Sequence, residues 1–160
     1  MSIHCVSNKK LKLWDFGWAE FREFRVDSIG CAKEFFTELL SLDCYDDGFD
    51  SSHGTDSGRK IHGPYHLSSL SSESFQPVSI REFQRVIDDL ISDDEPPSSA
   101  QLNGLNMFLH AMLSGKGTIY QLAVNDNSAI IDLPVHVIFL EFIYLDLMAR
   151  YANILTIGYD

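Results

Sequence analysis

The chain has 160 residues, of which 45% are apolar, 12% aromatic and 22% charged, a profile that excludes disordered and collagen-like chains and fits a folded domain. Twelve basic residues against 23 acidic ones leave a net charge of −11, which opposes binding to nucleic acid or anionic membrane and favours cationic partners. A chain of this length buries well over half of its unfolded surface, so it needs no metal or disulfide to hold its core.

The first stretch, "KKLKLWDF", alternates Lys10 and Lys12 with Leu11 and Leu13 and predicts a short half-buried strand. In the following "GWAEFREFRV", Trp18, Phe21 and Phe24 recur every third residue, which points to a helix or irregular turn before a second strand. Three helices follow. "SIGCAKEFFTELLSL" places Ile29, Ala32, Phe35, Phe36, Leu39 and Leu40 on one stripe. "SIREFQRVIDDLI" repeats those offsets, and Ser79 with Glu82 has the spacing of a reciprocal N-terminal cap. "SSAQLNGLNMFLHAML" carries a stripe of Leu102, Leu105, Leu109, Met112 and Leu113, entered after Pro96-Pro97 and closed by Gly115 and Gly117.

Beyond these, "TIYQLAV" and "SAIID" flank Asn125-Asp126-Asn127 and predict a β-hairpin. The apolar stretch opened by Pro134 and running to Met148 is long enough for a central buried helix, and "NILTIGYD" suits a last strand. The expected fold is α+β, a single domain over residues 1–160 with several helices packed on a small, mostly antiparallel sheet. A polar loop over about 46–77 and a Pro/Ser linker over 93–99 interrupt it.

Cys5, Cys31 and Cys44 form no CxxC, and their odd number reads as buried thiols in a reducing compartment. "MSIHCVSNKKLKLWDF" has no apolar core of signal-peptide length. "VHVIFLEFIYLDLMA" is interrupted by Glu141 and Asp146 and is shorter than the ~20 apolar residues that a membrane span requires. A cytoplasmic protein with no membrane partner is expected.

The polar loop holds His53, Lys60, His62 and His66. His62 and His66 stand four apart, but Gly63 and Pro64 between them oppose a helix, and no glutamate follows His62 as the zinc-protease pattern requires. A calcium loop centred on Gly48 would need acids at Tyr45 and Gly54. No metal or other cofactor is therefore expected. Two histidines and a lysine can supply general acid and base for a small metal-independent enzyme, which stands as an alternative. His110 reads as a packed or capped imidazole. No nucleophile elbow, phosphate loop or dinucleotide-binding glycine run accompanies them, so no enzyme is expected.

The acids are placed unevenly. Residues 26–95 carry fifteen acidic residues against five basic ones, whereas residues 1–25 carry five basic against three acidic. Asp88, Asp89, Asp93, Asp94 and Glu95 crowd the end of the second helix, where each anion opposes the macrodipole by ~0.3–1 kcal/mol. Asp43, Asp46, Asp47 and Asp50 follow the first helix, with Tyr45, Phe49 and Tyr65 nearby as aromatic anchors. Violations of a local rule concentrate at functional sites, and an acidic surface with aromatic anchors suits a basic protein partner.

In its size, acidity and aromatic richness, and in the clusters "DDLISDDE" and "DCYDDGFD", the chain resembles bacterial immunity proteins that neutralise secreted toxins, including those of contact-dependent growth inhibition. The resemblance is one of kind and rests on no family motif. It implies a protein that binds a cognate toxin domain, expected to be cationic and nuclease-like, and covers its active site. A self-associating adaptor using the apolar segment 137–148 is a further alternative.

Overall fold

The computed structural model describes residues 2–47, 60–92, 96–125 and 138–159. In chain order the elements are strands β1 (Ile3–Lys12) and β2 (Gly17–Val26), helix α1 (Ala32–Leu39), short strands β3 (Ile61–His62) and β4 (Tyr65–His66), strand β5 (Phe75–Val78), helices α2 (Ile80–Ile91) and α3 (Ser99–Leu113), and strands β6 (Thr118–Leu122), β7 (Ile138–Asp146) and β8 (Tyr151–Tyr159). Six strands form one antiparallel sheet in the order β1-β2-β8-β7-β6-β5, while β3 and β4 pair as a separate hairpin. The class is α+β as expected, and the sheet dominates it.

Both faces of the sheet are covered. On one, Phe24, Val26, Ile143, Leu145 and Ile154 pack with Phe35, Phe36 and Leu39 of α1. On the other, Phe21, Phe142, Leu155 and Ile157 meet Phe83 and Ile87 of α2 and Leu105, Phe108 and Met112 of α3. Aromatic rings knit the layers: Phe36 stacks on Phe75 at 4.3 Å, Phe21 stacks on Phe108 at 5.0 Å, and Phe83 meets Phe142 edge-on at 4.8 Å.

This double burial explains two corrections. Residues 17–26 form a strand rather than a helix or turn, and 138–146 form a central strand rather than a buried helix. A strand covered on both faces loses its apolar–polar alternation and reads as a continuous apolar run. Residues 141–145 are buried inside the sheet, so they present no surface for self-association. In the predicted hairpin, Thr118–Leu122 is β6, paired with β5 and β7, and "SAIID" lies outside the described residues.

The helix signals hold. Ser79 and Glu82 cap α2 reciprocally, and Ser98 and Gln101 do the same for α3. His110 is exposed on α3 instead of packed, and all three cysteines are exposed instead of buried. Among the described residues no helix is long and apolar enough to cross a membrane.

Candidate functional site

A row of polar side chains crosses the middle of the sheet. Glu20 on β2 and Glu141 on β7 both stand opposite Thr156 of β8, and directly opposed residues share a face. Arg22 lies two residues along β2, on the same face. These groups fall within apolar strands, so each must find a partner in the layer above.

The partner is the histidine hairpin. His62 is fully buried; its Nε2 lies 2.7 Å from Glu141 Oε2 and its Nδ1 lies 2.9 Å from the Tyr45 carbonyl and 3.3 Å from Asp47 Oδ2. Every group facing the imidazole accepts hydrogen bonds, so the doubly protonated ring satisfies them all. The Tyr45 hydroxyl donates to the other oxygen of Glu141, and Thr156 Oγ1 donates to Oε2 at 3.0 Å. The Tyr45 ring stacks on His62 at 3.8 Å, and Phe139 closes the edge at 5.5 Å. Arg22 donates to the Cys44 carbonyl at 2.8 Å and lies 3.9 Å from Glu20, while its Nε is buried with no hydrogen-bond partner among the described residues.

The tight turn is what places His62 there. Gly63 adopts φ 52°, the left-handed region that glycine tolerates, and a Cβ at this position would lie 2.3 Å from the Phe139 ring. Its amide donates to Asp47 Oδ2 at 2.6 Å. Asp46 Oδ1 accepts from the Ile61 amide at 3.2 Å, the Asp47 amide donates to the Ile61 carbonyl at 2.9 Å, and Lys60 reaches Asp43 at 3.0 Å. The Gly63-Pro64 pair thus makes a hairpin turn and keeps His62 and His66 off any shared helix.

The electrostatics agree with an imidazolium. Burial alone pulls the His62 pKa down, but the charge of Glu141 and the hydrogen bonds from Asp47 and Glu141 outweigh it and lift the ring to about 9. Burial pushes Glu141 and Asp47 up, yet His62 holds both below the ordinary carboxylate range. Burial beside Glu141 drives the Tyr45 hydroxyl well above its ordinary value. The cluster is a charged, hydrogen-bonded keystone whose reactive atoms all face one another, closed to a substrate.

The expected partner-facing residues therefore separate into two groups. Tyr45 is fully buried, Asp46 and Asp47 are hydrogen-bonded into the hairpin, and Tyr65 is half-buried against Phe139 at 6.1 Å, so these four build the fold instead of facing a partner. Asp88 and Asp89 are exposed in the last turn of α2, which holds no basic residue, Arg85 standing one turn earlier, and neither has an ion-pair partner among the described residues. Asp50, Phe49, His53, Asp93, Asp94 and Glu95 lie outside the described residues. His66 keeps a buried Nδ1 with no partner among the described residues. No cluster of three or more His, Cys, Asp or Glu among the described residues is placed to hold a metal ion.

Sequence reasoning missed Glu141, Arg22 and Thr156. The one local signal was an isolated glutamate inside an apolar strand-like run, and its partner lies 79 residues away. No protein-family model, curated protein or solved structure matches this chain.

Proposed function

We propose that the protein is an acidic binding protein of the toxin-immunity kind, which docks and neutralises a cationic, nuclease-like protein domain in the cytoplasm. The observation that carries this reading is the pair Asp88 and Asp89, exposed at the already negative end of α2 and in no ion pair among the described residues. Five acids fall between Asp88 and Glu95 in a sequence of net charge −11, and such a charge accelerates encounter with a basic surface. The alternative of a histidine-loop enzyme loses support, because His62 is fully enclosed and both its nitrogens are engaged.

The test is capture of partners from producing cells, with the wild type and with D88N, D89N, D93N, D94N and E95Q combined. A basic protein is expected from the wild type, and co-production should protect cells from it. Its association with the combined variant should slow about tenfold at low salt and much less at high salt, where screening removes the field. Equal association rates for both forms at low salt would sink the acidic-surface mechanism.

A further inference from the structure

Two departures from regular backbone geometry meet at one open groove of about 500 Å³, lined by Val6, Glu23, Arg25, Arg150, Tyr151 and Asn153 among others. The first is a β-bulge. Cys5 stands opposite Phe24 and Ser7 opposite Glu23, so Val6 has no counterpart on β2 and its side chain is 64% exposed. The second is Arg150, the only non-glycine residue at positive φ (60°) among the described residues, in the turn between β7 and β8. Its carbonyl accepts the Val26 amide at 3.0 Å, which fixes the turn. A turn chosen for stability would place glycine or asparagine there, and strained positions of this kind gather at binding sites.

The charged groups of the lining are Arg25, Arg150 and Glu23, and Arg150, which is exposed, is the one among them without an ion pair within the described residues. Arg25 shares Asp27 at 3.0 Å, while Glu23 accepts from the Ser7 hydroxyl and lies 3.9 Å from Lys9, so its charge is already offset. Val6 is the exposed large apolar group of the lining. The volume falls in the range of ligand-binding clefts, and the groove runs across β1, β2 and the start of β8.

We propose that this groove docks an acidic segment of a partner protein, with a carboxylate on Arg150 and an aliphatic side chain against Val6. This surface is separate from the acidic end of α2 and does not depend on the function proposed above. The Arg150 conformation supplies the test, because Arg150→Gly removes the cation and relieves the left-handed strain together.

The probe is the peptide Ac-Asp-Leu-Asp-Leu-NH2, titrated into labelled protein and followed by amide chemical shifts. Saturable shifts are expected at Val6, Glu23, Arg150 and Tyr151, with none from the lysine counterpart Ac-Lys-Leu-Lys-Leu-NH2. Arg150→Gly should weaken the peptide about tenfold, as loss of a good charge contact does, while raising the melting temperature. Val6→Ser should also weaken it, and Arg81→Gln, a charge removal in the first turn of α2 next to β5, the edge strand opposite β1, should leave it unchanged. The proposal is overturned if shifts at the groove are absent up to millimolar peptide, if Arg150→Gly binds as the wild type does, if Arg81→Gln weakens binding as much as Arg150→Gly, or if free succinate reproduces the peptide's shifts at equal concentration.

Discussion

The two faces of the sheet are built on different physics. Toward α2 and α3, Phe21, Phe83, Phe108, Phe142, Leu155 and Ile157 make a core whose cohesion is non-directional and in which one apolar residue of similar volume can replace another at modest cost. Toward the histidine hairpin, Glu141, His62, Tyr45 and Thr156 are joined atom to atom, and each group is tolerable only because the others are there. The first face resists error. The second specifies a single arrangement, and it ties the chain around residues 43–47 and 60–66 to strands far away in sequence.

The sharpest way to break this contrast is to delete one member from each side. Glu141→Ala strands the charges of His62 and Arg22 in the interior and is expected to cost about 3–5 kcal/mol, similar to the cost of Phe142→Ala on the other face. The two should differ in their coupling. In a His62→Phe background the Glu141→Ala loss should shrink by roughly 1–3 kcal/mol, whereas the Phe142→Ala loss should not change; equal losses in both backgrounds, measured by urea denaturation, would count against a linked pair. The pH profile adds a second reading. His62 is raised from 6.5 to about 9, so its contribution is complete below pH 6.5 and fades as pH rises through 9. Glu141 and Asp47 are lowered from 4.5 and 3.8, so theirs is present above those values and fades as pH falls. Wild-type stability should decline on both limbs, and His62→Phe should flatten the alkaline one.

A smaller effect is expected at the turn that seats the imidazole. Gly63→Ala forces a side chain into left-handed backbone and against Phe139, at an expected cost of about 1–3 kcal/mol, seen as a lowered unfolding midpoint. The smallest effect has the opposite sign. D88N and D89N remove anions from the negative helix pole and should each stabilise by about 0.3–1 kcal/mol at low salt, with the gain vanishing at high salt. A loss of stability there would show that the acids have internal partners.

Much of the fold was legible where a rule acts locally. The Ser79–Glu82 cap and the apolar stripe of α2 marked a helix through short-range geometry alone. Where tertiary burial overrode the local pattern, the reading failed: β7 is sheathed on both faces, so "IFLEFIYLD" carries no alternation to reveal a strand. Trp18, Phe21 and Phe24 misled for the same reason in β2. His62 was weighed for catalysis and metal binding, whereas its role depends on Glu141 and on a sheet register that no local motif encodes. Asp46 and Asp47 looked like surface charge because the amides that bind them, Ile61 and Gly63, follow fifteen and sixteen residues later. The exposure of Asp88 and Asp89 at the negative end of α2 was legible because helix polarity is itself a local property.

The bond from the Asp47 amide to the Ile61 carbonyl, with Asp46 and Asp47 gripping the Ile61 and Gly63 amides, fastens the chain on either side of residues 48–59. With both anchor points clamped to the sheet, the length between them becomes a nearly independent variable: doubling it changes the closure cost by only about 0.6 kcal/mol. The clamp itself is indifferent to what joins its two ends, because every bond in it is made by Asp46, Asp47, Ile61 and Gly63.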